Sequence, residues 1–209
     1  HVASGASDND ISGTLNTVTQ LYTNDQGVPE GQVRILPSQL LIRGAEWTME
    51  PSNILYYDHH LTFDHFNLHH GENHLIIDGV ASPSSNDTIV VDMSDIDVAW
   101  ILNLVNFRSV RFGGYATGQV FVTEALNDFE ASAELHVRDF TFEQGDMGTL
   151  MANAYWNRDE KRIDLHAVTV DNEEEQTYIN GYISPSAKEL DLDIVAQGTP
   201  ILFCQIHSL

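Results

Sequence analysis

The chain has 209 residues, 42% of them hydrophobic, with 9 basic against 31 acidic side chains and a formal net charge of −22. A chain so poor in Lys and Arg cannot neutralise a phosphate backbone or dock electrostatically on anionic lipid, which argues against nucleic acid as a partner and leaves neutral acyl chains open. The apolar fraction suffices for a core, and no run approaches the roughly 18 apolar residues of a membrane-spanning helix.

Residues 1–10 read as a flexible start. Strands are predicted over Ile11 to Thr19, Gln32 to Leu36, Gln39 to Ile42, Trp47 to Met49, Ile54 to Tyr57 and Leu61 to His69, and period-two alternation marks Ile89-Val91-Met93. From Asp95 to Val105 the period changes: Val98, Ile101, Leu102 and Val105 recur at helical spacing behind Asp95 and Asp97, where a helix dipole favours acids. Alternation then returns at Ala116-Gly118-Val120-Val122, Ala131-Ala133-Leu135-Val137, Leu150 to Trp156, Ile163-Leu165-Ala167, Thr177-Ile179-Gly181-Ile183 and Leu190-Leu192-Ile194. These read as strands with one wet face. Short polar connectors such as Ser82 to Asp87, Asn157 to Lys161, Asp171 to Glu175 and Ser184 to Lys188 are hairpin-sized, which predicts an antiparallel meander.

The stretch Ile77-Asp78-Gly79-Val80-Ala81-Ser82-Pro83-Ser84 matches Ile179-Asn180-Gly181-Tyr182-Ile183-Ser184-Pro185-Ser186, and Ile11-Ser12-Gly13-Thr14-Leu15 matches Ala116-Thr117-Gly118-Gln119-Val120. We therefore expect two copies of one module, 11–109 and 110–209. Each would end in a short helix, the second over Pro200 to Ile206. The chain starts on His1 and stops beyond that apolar run, so it reads as an internal piece of a longer repeat protein. The lone Cys204 reads as a structural thiol. About a dozen strands at roughly 4.8 Å make a sheet too wide for an eight-stranded barrel, which must curl or be continued by neighbours.

The Ile-Asp-Gly-Val-Ala-Ser-Pro and Ile-Asn-Gly-Tyr-Ile-Ser-Pro stretches resemble the repeating units of the TamB and AsmA-like repeat family. So do Asp95-Ile96-Asp97-Val98, Phe112-Gly113-Gly114-Tyr115-Ala116-Thr117-Gly118 and Asp139-Phe140-Thr141-Phe142. The resemblance implies an all-β fold: an elongated antiparallel meander sheet curled into an open taco-like groove, with short helices between repeats. It further implies a periplasmic location in a protein anchored to the inner membrane, phospholipid or another acyl-chain ligand, neighbouring repeats of the same protein, and a TamA-like outer-membrane barrel as partners. On that reading the groove is lined by Ile89, Val91, Met93, Ala133, Leu135, Val137, Ile163, Leu165, Ile179, Ile183, Leu192 and Ile194. Burying ten methylenes there would yield about 8 kcal/mol, ample for reversible lipid capture.

Other chemistry is weaker. Asp58-His59-His60, His65, His69-His70, Glu72 and His74 form the densest titratable cluster, and His60, His65, His69 and His74 are the alternative as zinc or nickel ligands. The slipping apolar parity between Phe63-His65 and Phe66-Leu68 predicts a bulge that spoils such a template, so we read solvated imidazoles. Asp92, Asp95 and Asp97 lack the glycine and terminal glutamate of a calcium loop. Gly113-Gly114 and Gly118 precede a strand, which marks a turn or bulge and not a dinucleotide fingerprint. No nucleophile elbow or phosphate loop occurs, so no enzyme and no cofactor is expected. Two rival functions are a scaffold whose open edge pairs with a strand of an outer-membrane protein, and a sandwich-type adhesin or binding domain with a filled core.

Overall fold

The computed structural model describes residues 11–42, 44–49, 54–57, 60–104, 111–143, 145–171, 175–187, 189–196 and 199–206. Asp58, His59 and the expected flexible start 1–10 lie outside them. The chain is all-β and antiparallel with almost no helix. It divides into two compact units, His1–Met93 with Phe121–Phe129, and Ser94–Val120 with Glu130–Leu209.

In chain order the described elements begin with β1 (Ile11–Thr14), β2 (Thr17–Thr23), β3 (Pro29–Ile35), β4 (Ser38–Ile42), β5 (Ala45–Met49) and β6 (Ile54–Tyr57). They continue with β7 (Leu61–His70), β8 (Asn73–Ala81), β9 (Thr88–Asp97), α1 (Val98–Leu104), β10 (Phe112–Thr123) and β11 (Glu130–Phe142). The last are β12 (Gly145–Asp146), β13 (Thr149–Asn157), β14 (Arg162–Asp171), β15 (Glu175–Ser184), β16 (Glu189–Ala196) and β17 (Thr199–Ile206).

In the first unit several strands are halves of longer ones. β2 pairs with β3 and β1 with β4, so the β1–β2 segment runs antiparallel to the β3–β4 segment. The latter lies against β6 and β5, and these lie against β7, which pairs with β8 on its other side. Pro37, which has no N–H to give a ladder, sits at the break between β3 and β4. The break is stapled locally: the Asn16 amide donates to Ser38 Oγ at 2.9 Å, the Asn16 side chain donates to the Pro37 carbonyl at 3.0 Å, and the Leu36 amide donates to the Asn16 carbonyl at 2.9 Å. Ser38 is buried, and its hydroxyl donates to the Leu36 carbonyl.

The predicted bulge in β7 is present: the β7–β8 register slips between Phe63 and Phe66, and His65 adopts a positive φ of 49°. The Asp78 carboxylate supports it by accepting the His65 amide at 2.6 Å. After β9, Asp97 caps α1, its Oδ1 accepting from the amides of Ala99 at 2.7 Å and Trp100 at 3.2 Å. The predicted helix thus starts later than its first acids, because Asp92 to Asp97 still belong to β9.

In the second unit β11, β13, β14, β15, β16 and β17 follow one another as antiparallel neighbours in chain order. One expectation is corrected here. Pro200 to Ile206 is not a terminal helix but lies in strand β17, with Leu192 opposite Cys204 and Leu190 opposite Ile206. A seven-residue apolar run carries too little period to separate helix from strand. The unpaired edge of β16 offers a ladder of interstrand hydrogen bonds, whereas a short helix makes few bonds for a costly nucleus.

Candidate functional site

Register decides which apolar side chains share a face. In the second unit one row runs Leu135, Ala152, Ala167, Ile179, Ile194 across five strands. The rows beside it run Ala133, Ala154, Leu165, Gly181, Leu192 and Val137, Leu150, Thr169, Thr177. A fourth runs Trp156, Ile163, Ile183, Leu190. All nine groove residues predicted in this unit fall on that one face. Leu150, Ala152, Ala154, Trp156, Ala167 and Leu190 share it and were not predicted as lining, although their period-two spacing was legible.

The face is graded in depth. Val137, Ile179, Leu192 and Ile194 are buried, as are Leu190, Ala152 and Ala167, while Ala133, Leu135, Ile163, Leu165 and Ile183 are only half-buried. In the first unit Met93 is buried and Ile89 and Val91 are half-buried.

The opposite face of the second unit is mixed, with polar rows beside a row that runs His136, Met151, Val168, Tyr178, Val195. One row runs Glu134, Asn153, His166, Asn180, Asp193, and His166 Nδ1 lies 3.0 Å from Asn180 Oδ1. Beside it Arg162 Nε donates to Asp164 Oδ1 at 2.7 Å, with the guanidinium 4.3 Å over the Tyr182 ring. Partial burial pushes the Asp164 carboxyl up. The hydrogen bonds from Asn157, at 2.9 Å, and from Arg162 outweigh that and hold it below the ordinary value. Arg138 forms a second clamp: Nε donates to Asp95 at 2.9 Å, a terminal nitrogen donates to Asp139 at 2.7 Å, and the guanidinium stacks 4.3 Å over Tyr115. The bond to Asp95 is the main reason that guanidinium lies above its ordinary value. Asp95, Gly114 and Asp139 all have positive φ, so the clamp ties three bent strands together.

The described histidines form no metal-binding cluster. Among the described residues no group of three or more His, Cys, Asp or Glu side chains is placed to hold a metal ion. His65 stands against Asp78, with Nδ1 3.6 Å from the second carboxylate oxygen, and His70 Nδ1 lies 2.7 Å from the Glu46 carbonyl. His69 and His74 face each other across β7 and β8, while His60 is exposed before β7 begins.

A cleft of about 560 Å³ opens in the first unit at the β3–β4 break, lined by Asn16, Ser38, Gln39, Glu46 and Thr48 among others. Pro37, Leu40 and Leu41 line it as well, and none of the twelve predicted residues does.

No protein-family model, no curated protein and no solved structure matches the chain. The likeness to TamB-type repeats therefore rests on the motifs quoted above.

Proposed function

We propose that this chain is a non-enzymatic module whose apolar sheet face shields lipid acyl chains, in a TamB-like periplasmic protein that moves phospholipid between two membranes. The observation that supports the reading is the register: the nine apolar residues that alternation marks and the resemblance assigns to the groove, from β11, β14, β15 and β16, share one face of the sheet. Their half-buried members, Ala133, Leu135, Ile163, Leu165 and Ile183, are where an acyl chain would first make contact. Among the described residues no helix is long and apolar enough to cross a membrane. The net charge of −22 would disfavour docking on anionic headgroups.

Native mass spectrometry of the purified chain tests this. Phospholipid should co-purify, and Leu135→Asp and Ile163→Asp, at half-buried positions the fold can tolerate, should abolish it while circular dichroism keeps its β signature. Repeated absence of lipid from the unaltered chain, or lipid unchanged in both variants, would sink the proposal and favour a filled binding domain.

A further inference from the structure

The apolar face of the second unit is closed toward one end and open toward the other. Val137, Leu150, Ala152, Ala167, Ile179 and Ile194, in the two rows nearest the closed end, are buried. The next two rows are half-buried at Ala133, Ala154 and Leu165, and at Trp156, Ile163 and Ile183. Beyond the last row stand Asn157 and Arg162, opposite one another, and then the turn Arg158-Asp159-Glu160-Lys161 that joins β13 to β14. The open end is therefore the end that carries this turn. With 9 Lys and Arg in 209 residues, the chain places three of them, Arg158, Lys161 and Arg162, within five positions here.

The three have different tasks. Arg162 belongs to the opposite face, where it holds Asp164 and stacks on Tyr182. Arg158 and Lys161 stay with the turn, which is built by the Glu160 amide donating to Asn157 Oδ1 at 3.1 Å. Lys161 has a φ of 53°, where glycine or asparagine would sit more easily, so a lysine is a costly choice for a segment that only reverses the chain. Arg158 lies 3.6 Å from Glu130, a pair whose carboxylate is exposed and which water screens. Asp159 and Glu160 are exposed beside them.

We propose that this turn holds the headgroup of a zwitterionic phospholipid whose acyl chains lie on the half-buried rows. The phosphate stands against Arg158 and Lys161, and the ammonium against Asp159 and Glu160. The inference rests on the acyl-shielding function proposed above and adds to it a headgroup end and a headgroup preference. Charge selects the occupant. Guanidinium and ammonium groups bind phosphate through charge-assisted hydrogen bonds, and carboxylates bind a primary ammonium in the same way. The four-residue turn carries both signs equally, so it matches a headgroup that does the same. An anionic headgroup or a fatty-acid carboxylate leaves the two acids of the turn without a counter-charge and meets the repulsion of a chain of −22. An uncharged diacylglycerol makes neither contact.

The test is fluorescence titration of the intact chain with three acyl-labelled lipids: phosphatidylethanolamine, phosphatidylglycerol and diacylglycerol. Phosphatidylethanolamine should bind at least about fivefold tighter than the other two. Arg158→Gln combined with Lys161→Gln should remove about that factor for phosphatidylethanolamine and leave diacylglycerol unchanged, which also shows that the apolar face is intact. Arg111→Gln, beside Glu143 at the other end of β11, should change nothing. Equal affinity for the three lipids would overturn the headgroup site and leave acyl shielding standing, as would phosphatidylethanolamine binding that the paired substitution does not alter. Tighter binding of phosphatidylglycerol would overturn the zwitterion as occupant. Failure of all three lipids to bind would overturn the acyl-shielding function and this inference with it.

Discussion

Gly79 and Gly181 stand at matching points of two strands, β8 and β15, with φ of 114° and 152°, and a Cβ on either would run into the carbonyl oxygen of a neighbouring residue, Thr88 or Asp191. Each is followed three residues later by a buried serine, Ser82 or Ser184. The same geometry recurs at Gly13 against Gln39 and Gly118 against Glu134. The repeated Gly-x-x-Ser-Pro motif is thus a backbone device: glycine lets the next strand come close at a φ other residues avoid.

Gly79→Ala and Gly181→Ala should therefore each destabilise the protein by about 2 to 4 kcal/mol, combining backbone strain with overlap against a carbonyl. Gly27→Ala, in a turn with open space around it, should cost only about 1 kcal/mol because strain acts alone there. Urea denaturation reads both. Equal midpoints for all three variants would show that the close strand approach contributes nothing.

Asp164 should make part of the stability acid-sensitive. Its carboxyl lies below the ordinary 3.8 in the folded chain, so its contribution is present above that value and is lost as the pH falls through the folded value. Asp164→Asn should destabilise by on the order of 1 kcal/mol at neutral pH, with the difference from the unaltered chain vanishing in the acid range. A gap that stays constant from pH 7 to roughly pH 2.5 would contradict the linkage.

Asp97→Ala should remove the cap of α1, leaving the Ala99 and Trp100 amides without their acceptor. The expected loss is about 1 kcal/mol, while Asp97→Ser, which still caps, should recover most of it. Failure of serine to rescue would point to the charge and not the hydrogen bond.

Zinc should not bind at micromolar concentration. Among the described residues no three His, Cys, Asp or Glu side chains are placed to hold one ion, where a stable site takes at least three ligands from the protein. A calorimetric titration with stoichiometric heat, abolished by His74→Ala, would refute this.

Much of the fold was legible in the amino-acid order because period two is a local property. Leu135 and Val137, or Ile179 and Ile183, point to one side wherever their strand sits, and charged residues between them mark the other. The slip at His65 and the helix behind Asp97 were readable for the same reason: a broken parity and a capping acid are written within a few residues. What only the tertiary structure decided depends on partners far along the chain. Whether Ile201 to Ile206 coils or extends is settled by the free edge of β16. Whether an apolar residue is buried, as Leu192 is, or half-open, as Leu165 is, depends on what lies over its strand and not on its own period. The charged run Arg158 to Arg162 could be counted from the sequence, but only the register puts it at the half-buried end of the apolar face. Side-chain alternation is dictated by the backbone of one strand, whereas a face with an open end exists only once the whole set of strand pairings is known.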